Sequence, residues 1–236
     1  MSDKNGQQAK PLEERIALIT GASRGIGYHA AKAFAAAGAH VIAVARTTGG
    51  LEELDDEITA AGGSATLVPL DLTDYEGIDR LGGAIHERWG KLDIFFANAG
   101  ILGSLQPLGH VQPEEWDRVI AVNVTANWRL IRSLDLLLRV SDAGRVIVMS
   151  SGAVNNCRPF WGPYSVSKAA IVALARTYAG EMENTPIRVV LVNPGPMRTA
   201  MRAKAMPGED PASLPHPAEL APHLVDMAAP DFDKTG

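Results

Sequence analysis

Six short apolar runs punctuate the chain, at residues 15–20, 40–45, 66–70, 92–97, 145–150 and 187–193. Each is nearly continuous rather than alternating in polarity, the pattern of a strand covered on both faces. Segments with helical spacing of apolar positions separate them, at 25–37, 51–61, 75–89, 113–140 and 164–183. In the second of these, LEELDDEI loads one side with charge, as a solvated helix face does. Gly38 and Gly62 stand just past helical segments and read as stops. Strand and helix alternating in this way predict an α/β fold: a doubly wound parallel sheet of six to seven strands with helices on both faces.

The pattern changes at residue 194. A stretch rich in proline and methionine predicts a loop with a short helix, then a last helix over 218–228. Its place after a strand's C-terminal end makes 199–215 a short candidate lid, since such sheets bind ligands there. Repeats, low-complexity tracts and linkers are not evident. Residues 11–236 are therefore expected to form one domain behind a flexible tail, 1–10.

Composition narrows the function. The chain has 236 residues, 46% hydrophobic and 21% charged, which is ordinary globular usage. Its net charge of −5 argues against nucleic acid or an anionic membrane surface as partner. Cys157 is the only cysteine, so no intrachain disulfide can form. Residues 1–10 lack an apolar signal core, and no stretch approaches the roughly 20 apolar residues of a membrane span. The expected location is the cytoplasm. The six histidines are scattered without metal-ligand spacing, so no catalytic metal is expected.

The first strand runs into Thr20-Gly-Ala-Ser-Arg-Gly-Ile-Gly27 and then a helix. Glycines at 21, 25 and 27 allow a tight turn and close approach of backbone N–H groups to a pyrophosphate. The helix N-terminus adds a favourable dipole. With the strand before it and the helix after it, this is a dinucleotide-binding signature, and the predicted fold becomes Rossmann-type. The second strand ends Ala-Val-Ala-Arg46-Thr47, where an NAD site would present an acid for the ribose 2′-hydroxyl. No acid follows until Glu52. Arg46, with Arg24 in the glycine loop, offers donor forks suited to a 2′-phosphate. The expected cofactor is NADP(H), with NAD(H) as an alternative.

Tyr164 and Lys168 stand four residues apart on the fifth helical segment, and Ser151 ends an apolar run thirteen residues before Tyr164. Positions i and i+4 share a helix face, about 6 Å apart along the axis. An ammonium beside a phenol favours phenolate, so a tyrosine pKa well below 10 is expected here. A converging serine hydroxyl could hold a carbonyl or alkoxide oxygen. The trio points to proton exchange with an alcohol or ketone.

Taken together, these residues resemble the short-chain dehydrogenase/reductase family in its compact single-domain branch, over about residues 15–199. The glycine loop matches the family's cofactor loop, including Ser23 and Ile26. Asp71-Leu72 matches its adenine-binding pair, Asn98-Ala99-Gly100 the motif closing the fourth strand, and Asn123 its helix asparagine. Ser151, Tyr164 and Lys168 match the other catalytic members. Pro194-Gly195-x-Met197-x-Thr199 matches the nicotinamide-side motif. The resemblance implies interconversion of a carbonyl and a secondary alcohol. Tyr164 would be the general acid/base, Ser151 would bind the substrate oxygen, and Lys168 would bind the nicotinamide ribose. Asn123 would hold a water linking Lys168 to solvent. Asn98 also reads as a clasp between strands, Asp71 as a turn cap, and Thr199 as a helix cap. Relatives usually continue into a seventh strand past the equivalent of Gly236. They usually form homodimers or homotetramers, with which the apolar stretch of 113–140 is compatible. Pocket walls are expected from Leu102, Ala153, Phe160, Trp161 and Met201, with Arg158 for a polar substituent. Two other readings stay open: a 3-oxoacyl-carrier-protein reductase, with Arg129, Arg132 and Arg158 as a basic patch, and a non-catalytic dinucleotide sensor.

Overall fold

The computed structural model describes residues 10–236, so the expected tail lies outside the described residues except for Lys10. Six parallel strands form one sheet in the order β3-β2-β1-β4-β5-β6: β1 (Ile16–Thr20), β2 (His40–Ala45), β3 (Ser64–Pro69), β4 (Ile94–Ala97), β5 (Arg145–Met149) and β6 (Arg188–Val192). The strand order reverses between β1 and β4, which opens a crevice at their C-terminal ends.

Helices α1 (Gly25–Ala36), α2 (Thr48–Ala60) and α3 (Tyr75–Trp89) follow the first three strands. After β4 comes the long helical segment, as α4 (Pro113–Ile120) and α5 (Ala126–Val140). A π-helical turn, Ala121–Thr125, joins them and places Asn123 at its centre. Sequence period alone reads this stretch as one helix. A π turn keeps the helical spacing on both sides and inserts one residue, which frees backbone groups locally. Then come α6 (Ala153–Asn156), α7 (Gly162–Glu181), α8 (Ala200–Ala205) and α9 (Pro217–Ala228).

Apolar residues fill both faces of the sheet. One core packs Leu18, Val44, Phe95 and Val146 against α3, α5 and α7. The other packs Ile19, Val41, Phe96 and Ile147 against α1, α2 and α9. Neighbouring residues of a strand feed opposite cores, which is why the strands read as continuously apolar. Gly38 and Gly62, at φ +104° and +77°, end α1 and α2 as expected. At the edge of β6 the Gly236 N–H donates to Val189 O at 2.8 Å, and Thr235 Oγ1 accepts from Val189 N at 3.2 Å. Far from the crevice, fully buried Asp93 accepts from Ile16 N and Ser141 Oγ and pairs with Arg15 and Lys91.

Candidate active site

The crevice opens into a cavity of about 1050 Å³ that runs along the C-terminal ends of β1, β2, β4, β5 and β6. The turn after β1 forms one end. Gly21 and Gly25 adopt φ of +69° and +60°, conformations that favour glycine. Gly27 is glycine for a different reason. A Cβ there would lie 2.6 Å from Asn98 Nδ2 and closer still to Gly21 O. Asn98 is the clasp that creates this crowding. Its Nδ2 donates to Thr20 O at 2.9 Å, while Thr20 Oγ1 accepts from the N–H groups of Asn98 and Ala99, both at 3.1 Å. Gly50, in the first turn of α2, lets that helix close on Ser23, since a Cβ would stand 2.8 Å from Ser23 O.

Helix α1 begins with no side-chain cap and no acidic residue in its first turn. Its terminal N–H groups are left for another acceptor, and an anionic diphosphate fits that chemistry. Arg24, Arg46 and Thr47 line the same end of the cavity. One correction enters here. The stretch after β2 is free of acids, but Asp71, from the end of β3, brings a carboxylate to 3.7 Å from Arg46. Asp71 also accepts from Thr73 N at 2.9 Å and Thr73 Oγ1 at 2.8 Å, so it does cap the following turn. Thr199 caps α8 by accepting from Arg202 N at 3.2 Å.

At the other end stand Ser151, Tyr164 and Lys168, all lining the cavity. Helix α7 holds the last two buried side by side, with Lys168 Nζ 5.9 Å from the centroid of the Tyr164 ring. Lys168 Nζ donates to Met149 O at 2.8 Å, a backbone acceptor at the end of β5 that residue types could not reveal. Burial lowers the Lys168 pKa to about 8. It raises that of Tyr164, while the Ser151 hydroxyl, a partner for phenolate, works the other way. The expected tyrosine pKa well below 10 is therefore corrected: in the protein alone desolvation outweighs the hydrogen bond with Ser151. The group poised near neutrality is Lys168.

Asn123 does not line the cavity; it ties together the elements behind it. Its Oδ1 accepts from Ile101 N at 2.8 Å, and its Nδ2 donates to Ile101 O and Ser167 Oγ, each at 2.9 Å. The carbonyl oxygen of Asn123, at the π turn, accepts from Asn127 Nδ2 at 2.8 Å. Gly27 likewise shapes the loop from outside the cavity lining.

Of the expected pocket residues, Leu102, Ala153, Arg158, Trp161 and Met201 line the cavity. Phe160 does not, and this too is a correction. Its φ of +74° turns the side chain outward, where it is 56% exposed, and Trp161 forms the wall instead. Trp161 meets the Tyr164 ring edge-on at 5.9 Å. The remaining cofactor-loop residues all line the cavity: Gly21, Ser23, Gly25, Ile26, Leu72, Ala99, Gly100, Pro194, Gly195 and Met197. Residues not singled out from sequence join them, among them Asn156, Arg202, and His29 and His216, whose rings are 4.8 Å apart. His29 stands one turn after Gly25, a spacing that could have flagged it. His216, on a distant element, carried no such signal. Among the described residues, no group of three or more His, Cys, Asp or Glu could hold a metal ion.

The short chain dehydrogenase family profile matches residues 15–210. The chain belongs to that family. It is 37% identical over 229 residues to an uncharacterized oxidoreductase, YciK, of Escherichia coli K12, spanning 95% of this chain and 90% of that protein. A short chain dehydrogenase from Shigella flexneri, solved as a complex with NADP, superposes with a TM-score of 0.90 at 36% identity, over 94% of each chain. One from E. coli CFT073, solved with NADPH, gives a TM-score of 0.88 at 36% identity, again over 94% of each. The protein is thus an oxidoreductase of the CH–OH class that uses a nicotinamide dinucleotide. Among the described residues, no helix is long and apolar enough to cross a membrane.

Proposed function

We propose that the protein is an NADPH-preferring reductase that interconverts a carbonyl compound and its secondary alcohol, with Tyr164 as the proton donor and acceptor. The observation that carries this reading is the convergence of Ser151, Tyr164 and Lys168 on one cavity that begins at an uncapped helix N-terminus. Gly21, Ser23 and Gly25 would hold the diphosphate, Lys168 the nicotinamide ribose, and Thr199 the carboxamide side. When bound there, the nicotinamide supplies or accepts the hydride. In reduction, Tyr164 gives its proton to the oxygen of the carbonyl, and Ser151 donates a hydrogen bond that fixes that oxygen. Burial keeps Tyr164 protonated and suits it to the acid role. Lys168 helps to replace the proton from behind, through the polar cluster that Asn123 braces.

Preference for NADPH is supported by Arg24 and Arg46 at the far end of the cavity, and by two relatives solved with NADP or NADPH. Asp71 beside Arg46 tempers the preference rather than removing it, because both side chains are about half exposed and the pair is loose. The carrier-protein alternative is weakened: Arg129 pairs with Asp79 at 3.7 Å and stacks over Tyr75 and Trp128, so it is engaged on α5 rather than at the cavity. The test is NADPH oxidation against a panel of aldehydes, ketones and oxoacyl thioesters, with cofactor affinity followed by NADPH fluorescence. Turnover of at least one carbonyl class is expected. Tight NADPH binding with no turnover across the panel would favour a dinucleotide sensor.

A further inference from the structure

The reading of this cavity as a carbonyl site leaves the substrate open, and the charges at its outer end narrow it. The catalytic end is closed by small or apolar side chains, Leu102, Ala153, Ala205, Trp161 and Met201. Arg158 stands at the rim of this wall. It lines the cavity, its guanidinium lies over the Trp161 ring at 5.9 Å, and Nη1 points at Met206 Sδ at 3.9 Å. The aromatic face and the thioether orient it. Among the described residues no carboxylate lies within ion-pair distance of it.

Glu209 feels the charge of Arg158, and Glu209 is already engaged. Arg202 holds both its oxygens, Nε to Oε2 and Nη2 to Oε1, each at 2.6 Å. Arg202 is the first cause of the lowered Glu209 pKa and Arg158 only the last. Two guanidiniums thus stand at this rim with one carboxylate, which Arg202 holds, and Arg158 lines the cavity without an acidic partner among the described residues. The chain as a whole is negative, at −5, so this local excess of positive charge runs against its composition. Trp161 spans the distance between Arg158 and Tyr164, with one 5.9 Å contact to each.

We infer that the substrate is a carbonyl compound carrying an anionic oxygen group, carboxylate or phosphate, at its far end. Arg158 binds that group, with Asn156 beside it, while an apolar linker lies along Trp161. A planar guanidinium suits either anion bidentately. This rests on the oxidoreductase reading for the carbonyl end, but the anion site can be tested without turnover.

The experiment uses oxo acids of graded length, their methyl esters, and an oxo-phosphate of the best length. The same compounds in hydroxy form, with NADPH bound, give unreactive complexes for calorimetry. At the best length the acid should exceed its ester about 10–100-fold in kcat/KM and in affinity, the range of a charge-assisted hydrogen-bonded pair. Arg158→Gln should bring the acid-to-ester ratio near one, Arg158→Lys should restore part of it, and Arg158→Glu should invert it. General damage to the pocket would lower both compounds and leave the ratio in place. The phosphate arm decides which anion is preferred. Equal handling of acid and ester at every length, or a preference that survives Arg158→Gln, overturns the inference. A calorimetric preference without any turnover would keep the anion site and refute the reductase reading.

Discussion

The two ends of the cavity are built by different means. At the cofactor end the backbone does the work: glycines at positive φ, an uncapped helix start, and a clasp in which Asn98 and Thr20 satisfy one another's backbone groups. At the substrate end side chains do the work. Trp161, Arg158, Met201 and the Arg202–Glu209 pair sit on short helices and loops, and several of them are exposed or half-exposed. Backbone geometry admits few residue types, so it constrains the sequence tightly and is felt by the whole fold. A wall of side chains can be rebuilt from many residue types and matters chiefly to the ligand.

That contrast predicts a graded series of effects. The largest concerns Gly27→Ala. The added Cβ would meet Gly21 O and Asn98 Nδ2, both fixed by other bonds, so backbone must move. A loss of roughly 2–4 kcal/mol in urea unfolding is expected, with weakened NADPH binding. Gly208→Ala in the lid meets nothing within 4 Å and should change stability by less than about 0.5 kcal/mol. Equal losses at the two sites would break the comparison.

The next effect is a pH dependence of stability. Lys168 is held at about 8 in the folded protein, against an ordinary value of 10.5. Between these values the unfolded chain binds a proton that the folded one has lost, so stability rises with pH across that window. Below pH 8 both states hold the proton and this group adds no slope. Above about 10 the trend reverses, because buried Tyr164 and Tyr178 stay protonated in the fold while they ionise in the unfolded chain. Chemical denaturation at pH 7–10 should show the rise in the wild type, and Lys168→Met should remove most of it.

Smaller is the cofactor preference. Arg46→Ala should reduce the ratio of NADPH to NADH affinity about tenfold, measured by fluorescence titration, since one charge-assisted contact is lost. Asp71→Asn should move the ratio by less. The smallest effect belongs to the lid. Glu209→Gln removes a bidentate ion pair at the surface and should leave thermal and chemical unfolding close to those of the wild type.

The same contrast explains what the sequence disclosed. The strands, the doubly wound parallel sheet and the glycine loop were legible because they rest on local period and on residue types that only one geometry tolerates. The pairing of Tyr164 with Lys168 was legible because i, i+4 spacing on a helix is itself a geometry, whereas Ser151 was picked out by its family-like spacing to Tyr164. The π turn at Asn123 was hidden, since one inserted residue leaves the apolar period intact on both sides. The Met149 carbonyl that receives Lys168 was hidden because any residue can supply it. Phe160 misled because aromatic character says nothing of a backbone turned to φ +74°. Asp71 misled because its approach to Arg46 joins the ends of two strands distant in sequence. The tyrosine pKa misled because spacing shows a neighbouring cation and not the burial that competes with it.

The most direct test of the central claim is Tyr164→Phe, with turnover and cofactor binding measured on the same preparation. The ring and its contact with Trp161 remain, and only the hydroxyl is lost. Carbonyl reduction should fall by about 10²–10⁴-fold or more, while NADPH affinity stays within about threefold. Unchanged turnover in the phenylalanine variant would contradict a proton transfer through Tyr164.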